Sequence, residues 1–283
     1  MCIRDRLKND QAAAAAYNKL SVEDKARFNS LVCKYYYAGA EIAGETLKPE
    51  VDPTLVRMLR DGKLEIFDIL DRTGKAISPD GEYKSLDDRQ KIALAAGMLK
   101  FDMATLRNLE KEGITYIVID PANFTRSIEK QAGSGEDERV KADLIKTWSE
   151  NYKMVAGCYK GQNKTISFRN DAIWKSSVIH ELGHAIDDLA MPDPRPYGKD
   201  SSSILSRLLT GKFLSDADDE VKGLYQDYIQ RSNRDPAAVW SEYAKTNVQE
   251  YVAEGVKMYY SNEILRNYPV SYTHLTLPTI YSV

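Results

Sequence analysis

Apolar residues recur at helical spacing along most of the chain, and a few short β-branched runs separate these stretches. Capping residues and acidic first turns mark where several helices begin, and glycine or proline marks where they end. Residues 11–20 are alanine-rich, and Ser21 can begin a second helix with an apolar stripe. The predicted helices cover 11–20, 21–36, 54–60, 85–99, 103–112, 139–152, 178–188, 201–209, 216–231 and 246–260.

Short runs of β-branched and aromatic residues predict the strands. The runs 64–70 and 75–78 flank the turn-like segment 71–74, so a hairpin is expected there. Residues 114–119 form a compact β-branched and aromatic run, which predicts a buried strand. Many helices combined with few strands predict an α+β fold that is mainly helical.

A second hairpin is predicted immediately before the helix 178–188. Its strands would be the runs 154–159 and 165–168, joined by a short polar segment. An exposed strand at this position can bind an extended peptide by adding it to the sheet as a further strand. The alternative is a hairpin with a structural role only.

The chain is expected to divide at residues 79–81, where proline and glycine form a turn. A mostly helical N-terminal region, 7–80, would precede a second domain, 81–269. Residues 1–6 and 270–283 resemble translated sequencing-adapter sequence and are left out of the fold reasoning.

Composition narrows the class of protein. Apolar residues make up 43% of the chain and charged residues 29%, as is typical of globular proteins. A net charge of −3 gives no sign of nucleic-acid binding. No apolar run reaches the roughly 18 residues of a membrane span. Apart from the adapter-like start, the only cysteines are Cys33 and Cys158, which are far apart in the sequence. They predict two buried free thiols, with a single disulfide as the alternative.

The helix 178–188 contains the motif H-E-x-x-H. Four residues are about one helical turn, so His180 and His184 present both imidazoles on one face. Glu181 lies beside them, where a carboxylate can take a proton from an activated water. This arrangement predicts two nitrogen ligands for a zinc ion and a general base.

The third ligand should be a carboxylate. A zinc site needs a further protein ligand, and the remaining histidine, His274, lies in the adapter-like tail. Glu250 and Glu254 are four residues apart on one face of a largely apolar predicted helix, where burial is costly unless a cation meets them. The alternative is an exposed acidic face.

Two motifs together resemble a known family. H-E-x-G-H-A-x-D-D is followed about 60 residues later by Y-x-x-T-N-x-x-E-[aromatic]-x-A-E. This pair is similar to the catalytic domain of anthrax toxin lethal factor and to the related secreted Pro-Pro endopeptidases, which are zinc peptidases of the gluzincin type. The resemblance is sharp over 173–188 and 240–260, diffuse back to about Ser85, and does not cover 7–80.

The resemblance implies a zincin-type catalytic domain over 81–269, with a small twisted sheet, an edge hairpin, an active-site helix and a helical C-terminal subdomain. Glu181 would be the general base, and Tyr243 would donate a hydrogen bond to the developing oxyanion. One zinc ion per chain would be held by His180, His184 and Glu250.

Supporting roles follow from the same resemblance. Glu254 matches an acid that would orient a ligand histidine. Asp187 lies seven residues after His180 on the metal-facing side of the helix, so it is either a similar acid or structural. The resemblance also implies that the protein is secreted. Its substrate would be a peptide or protein, bound along an edge strand that includes Val155, Ala156, Gly157 and Cys158.

A zinc-dependent endopeptidase is therefore the favoured function. One alternative is an inactive or toxin-like binding module with the zincin fold, which the complete set of matching catalytic residues argues against. The other is a zinc hydrolase of a non-peptide amide. The acidic run 216–220 is interpreted as the first turn of a helix rather than as a calcium site.

Overall fold

The computed structural model describes residues 7, 10–30, 32, 52–78, 82–119, 156–189, 215 and 218–261. Within this part the protein is α+β and mostly helical, with a small mixed sheet, as the sequence predicted. Residues 22–30 are helical. The other α-helices are α1 (Gln11–Lys19), α2 (Pro53–Arg60), α3 (Glu65–Thr73), α4 (Asp88–Met98), α5 (Met103–Lys111), α6 (Lys175–Leu189), α7 (Asp219–Arg234) and α8 (Val248–Ser261).

Five strands form one sheet in the order β2-β1-β3-β5-β4. The three inner strands run parallel, and an antiparallel strand closes each edge. The central strand is buried along most of its length because its sequence, TYIVI, is apolar on both faces. The strands are β1 (Gly74–Ile77), β2 (Tyr83–Ser85), β3 (Thr115–Ile119), β4 (Gly157–Lys160) and β5 (Thr165–Arg169).

Several helix starts agree with the capping residues in the sequence. Asp87 and Gln90 form a reciprocal capping box at the start of α4. At the start of α7, the Asp218 carboxylate accepts hydrogen bonds from the backbone amides of Glu220 and Val221. This capping agrees with the interpretation of the acidic run as a helical first turn.

The hairpin predicted over 64–78 is wrong. Its first run forms α3, in which Ile66, Phe67, Ile69 and Leu70 are all buried. These positions share one helical face. In so short a run, the spacing of apolar residues fits a helix as well as it fits a strand. The hairpin lies further along, between β1 and β2, where the Ser78 amide donates to the Glu82 carbonyl at 2.9 Å.

Helix α6 lies at the centre of the fold. Residues 178–188 are all buried, and the helix contacts α4, α8, β4 and β5. At Gly97 of α4 a side chain would stand 2.5 Å from Cβ of Val178, so glycine permits this close approach. The buried part of a helix that carries charged residues requires a partner for each of them.

The hydrophobic core extends across the proposed boundary at residues 79–81, with members on both sides. The domain division therefore stays a prediction. No helix in the described part of the chain is long and apolar enough to cross a membrane. The predicted helices 139–152 and 201–209, the run 31–36 apart from residue 32, and both adapter-like ends lie outside the described residues.

Candidate metal centre

His180 and His184 are both buried on α6. Their ring planes are nearly perpendicular, and the two Nε2 atoms are 3.1 Å apart. The helical spacing predicted this pairing, because residues four apart lie on the same face.

Helix α8 brings Glu250 to the histidines. Asn247 begins the helix by accepting a hydrogen bond from the Glu250 backbone amide at 2.8 Å. Gly183, between the two histidines, allows α8 to approach closely, since a Cβ there would lie 3.0 Å from Cα of Ala253 and 3.2 Å from Cβ of Val256. A larger residue at position 183 would therefore push the Glu250 helix away from the histidines.

Three ligand atoms form a compact triangle. Glu250 Oε2 lies 3.1 Å from His180 Nε2 and 3.3 Å from His184 Nε2, and 3.1 Å separates the two nitrogens. Tetrahedral zinc with bonds of about 2.0–2.1 Å requires ligand atoms about 3.3 Å apart. Glu250 Oε2 is buried and has no hydrogen-bond partner among the described residues. These three residues therefore fit a metal ion, and their donor set of two imidazoles and a carboxylate suits zinc.

The charges in the cluster depend on one another. Burial opposes ionisation of Glu250, but contacts with His180 and His184 outweigh it and lower the pKa of the carboxyl to about 2. Burial also opposes protonation of His180, yet Glu250 and Glu254 raise its pKa to about 9. A metal ion would bind the neutral imidazole of His180, so metal affinity should fall as the pH is lowered and His180 becomes protonated.

Glu254 supports His180 from the far side of its ring. One carboxylate oxygen lies 2.9 Å from His180 Nδ1. The other accepts from Ser241 Oγ at 2.8 Å, and Lys257 forms an ion pair with the carboxylate. Although burial opposes ionisation, these contacts lower the pKa of Glu254 to about 2. A carboxylate in this position orients the imidazole and increases its basicity.

Replacement of Glu254 by glutamine should weaken zinc binding by about 10–100-fold, because the amide carries no charge to hold the His180 ring. Competition with a chromogenic chelator would measure the affinity. The exposed Glu23 provides a matched control, since Glu23→Gln changes the same chemical group far from the site. An affinity equal to that of the control would contradict the orienting role of Glu254.

Glu181 is buried beside the histidines and lies against β4. A Cβ on Gly157 would stand 2.7 Å from Cγ and 2.9 Å from Oε1 of Glu181, so only glycine fits there. Burial raises the pKa of Glu181, while His180 and His184 partly offset this and the Tyr159 backbone amide helps hold the charge. A carboxylate with a raised pKa is suited to exchange protons.

Tyr243 lies at the open side of the site with 53% of its surface exposed. Its ring centroid is 5.7 Å from that of His180, and its hydroxyl is hydrogen-bonded to Glu250. Partial burial and the negative charge of Glu250 raise the pKa of the phenol, so it remains a protonated donor. The structure thus brings Tyr243 next to the triangle.

Two aspartates that follow the histidines have different partners. Asp187 accepts from the backbone amide of Ser215 at 3.0 Å and from its hydroxyl at 2.6 Å. These bonds favour the structural alternative for Asp187, since they tie Ser215 to α6. Asp188 accepts from the Tyr159 hydroxyl at 2.6 Å and so ties β4 to the same helix. Asp188 was not predicted as a site residue, although its place directly after Asp187 was a usable signal.

β4 is an edge strand of the sheet, as the second predicted hairpin required. The Ala156 carbonyl accepts from the Arg169 amide, and the Cys158 carbonyl accepts from Ser167 Oγ. Because backbone groups alternate in direction along a strand, those of Gly157 point away from β5. Cys158 is half-buried, less buried than predicted, and forms no disulfide within the described residues. Val155 and Cys33 lie outside those residues.

The fold and site together define an α+β protein with a candidate metal centre of two histidines and a glutamate. In comparisons with models of known families, with curated proteins and with solved structures, nothing matches this chain.

Proposed function

We propose that the protein is a zinc-dependent endopeptidase of the gluzincin type, similar to the catalytic domain of anthrax toxin lethal factor. One observation carries this proposal: Oε2 of Glu250 and the Nε2 atoms of His180 and His184 stand 3.1–3.3 Å from one another, and this oxygen is buried with no hydrogen-bond partner among the described residues. Glu181 lies beside them on the same helix, which completes H-E-x-x-H with a third ligand from a different helix.

The protein's own groups supply proton transfer and charge stabilisation. Bound zinc would lower the pKa of a water ligand to about 7 and polarise a carbonyl group. Glu181 would accept a proton from the attacking water and return it to the nitrogen of the departing amine. Its burial next to Gly157 keeps the carboxylate at one place, so the proton has a short and defined path.

Substrate would lie along β4. The backbone groups of Gly157 face away from the sheet, and an extended peptide can pair with them as a further strand. Tyr243, on the open side of the site, would donate its O–H to the oxyanion that forms on the scissile carbonyl.

The proposal is tested by metal analysis combined with a degenerate peptide library. We expect one zinc per chain, and cleavage that stops with a chelator and returns with zinc. Zinc without cleavage would instead indicate a binding module, and hydrolysis confined to non-peptide amides would indicate the second alternative. A protein that binds no zinc would rule out all three functions.

Replacement of Tyr243 by phenylalanine should lower kcat by about a hundredfold or more, since one oxyanion donor is worth roughly 3 kcal/mol. The ring and its contact with His180 are retained, so zinc content and the thermal unfolding midpoint should not change. Steady-state kinetics on a peptide from the library would measure the effect. An unchanged kcat would remove Tyr243 from the mechanism.

A further inference from the structure

Tyr243 is not held in place by its own burial. Half of its surface is exposed, and it belongs to a single 3-10 turn, Tyr243–Lys245. The turn is closed by two backbone hydrogen bonds: the Lys245 amide donates to the Glu242 carbonyl, and the Thr246 amide donates to the Tyr243 carbonyl. A side chain that must meet a developing charge requires a more rigid support than one such turn.

Helix α7 forms hydrogen bonds with the backbone on both sides of Tyr243. The Tyr228 hydroxyl donates to the Ser241 carbonyl at 2.7 Å and accepts from the Ser241 amide at 3.3 Å. The Tyr225 hydroxyl donates to the Lys245 carbonyl at 2.9 Å. These two tyrosines are three residues apart on one face of α7, and their targets lie two residues before and two residues after Tyr243.

The same tyrosines are joined to the helix that carries Glu250. Tyr251 follows Glu250 directly, and its ring centroid lies 5.8 Å from that of Tyr225 and 5.4 Å from that of Tyr228. Trp240 completes the cluster at 5.1 Å from Tyr228 and 5.6 Å from Tyr251. Aromatic pairs at such distances pack with defined geometry, so this cluster joins α7 to α8 beside the turn.

Ser241 connects this unit to the metal-ligand side. Its hydroxyl donates to Glu254, which contacts His180, and accepts from the Ala244 amide inside the turn at 3.3 Å. Tyr228 holds the backbone of this same residue. Ser241 therefore contacts both the Tyr243 turn and Glu254, the carboxylate beside His180.

We propose that the hydroxyls of Tyr225 and Tyr228 are positioning groups that hold Tyr243 at the distance its hydrogen bond to the oxyanion needs. This inference rests on the proposed peptidase function, because it assigns a purpose to Tyr243. Neither tyrosine would touch the substrate. Their hydroxyls fix two backbone carbonyls, and the rigid aromatic cluster transmits the position of α8 to the turn.

The test removes only the two hydroxyls, in Tyr225→Phe/Tyr228→Phe, and retains both rings. At saturating zinc and substrate we expect kcat to fall by about tenfold, since small misplacements of a catalytic group have effects up to about a hundredfold. Zinc should remain at one per chain. Tyr17→Phe is the matched control, because its hydroxyl bonds to Asn29 within the N-terminal region at 2.8 Å, and its kcat should equal that of the wild type.

A second arm separates positioning from general destabilisation. In a chain that already carries Tyr243→Phe, removing the two hydroxyls should change kcat less than about twofold, because the group they position is gone. An unchanged kcat in the wild-type background would overturn the proposal. So would a tenfold loss that persists in the Tyr243→Phe background.

A third measurement does not depend on activity. With 3-fluorotyrosine at position 243, the fluorine resonance should shift or broaden in the double Phe variant and not in Tyr17→Phe. An unchanged resonance would overturn the support by α7. If the wild-type chain cleaved no peptide, the proposed function would fail, and the fluorine signal would still decide whether α7 holds the turn.

Discussion

Replacement of Glu250 by alanine should abolish stoichiometric zinc binding. Its Oε2 stands within 3.3 Å of both histidine Nε2 atoms, so it supplies one corner of the ligand triangle. Loss of groups that only orient a ligand costs about 10–100-fold in affinity, and loss of a ligand itself should exceed that range. Metal analysis after dialysis, with competition against a chelator of known affinity, would measure the change.

Glu250→Gln and Glu23→Ala make this result specific. The glutamine variant keeps the size of the side chain while removing its charge, so it should bind zinc more weakly than the wild type but retain the fold. Glu23 is exposed at the opposite end of the described chain, so its alanine variant should bind normally. Stoichiometric zinc with unchanged affinity in Glu250→Ala would show that another group is the third ligand.

Replacement of Glu181 by glutamine should leave zinc bound and reduce turnover by about 10²–10⁴-fold, the typical contribution of general acid–base catalysis. Glutamine has nearly the same shape, so it fits against Gly157 as the carboxylate does. It cannot accept the proton of the attacking water. Single-turnover and steady-state assays on the same peptide, together with metal analysis, would measure the two properties separately.

The combination of results identifies the role of Glu181. Retained zinc with lost turnover is the signature of a base that does not bind the metal, and Glu23→Gln should show neither loss. Turnover within about tenfold of the wild type would reject Glu181 as the base. Loss of zinc would instead show that the carboxylate takes part in ligation or that the buried site has collapsed.

Much of the candidate site could be predicted from local sequence. The helix 178–188 and the pairing of its histidines depend on residues no more than four apart, and the structure has them as predicted. The scarcity of histidine predicted a carboxylate ligand and offered Glu250 and Glu254, and the resemblance to the lethal factor family implied Glu250. The distance of about 3 Å between Glu250 and the histidines has a different origin, because it requires two helices to meet at Gly183.

The errors and omissions also have physical reasons. The run 64–70 is too short for its apolar period to distinguish helix from strand, and burial against the core decided for helix α3. Asp187 was left between two roles because spacing gives the direction of a side chain but not its partner. Ser215, which supplies that partner, is 28 residues away in the sequence.

By itself the sequence determined the chemical groups of the candidate centre: two imidazoles and a glutamate one helical turn apart or less, and an acid pair on a second helix. Only the tertiary structure decided how those groups meet, and which residues hold Tyr243. Tyr225 and Tyr228 reach backbone carbonyls 20 and 13 residues away, and nothing in local propensity encodes such contacts. They exist because α7, α8 and the turn pack around one aromatic cluster, and packing depends on all three elements at once.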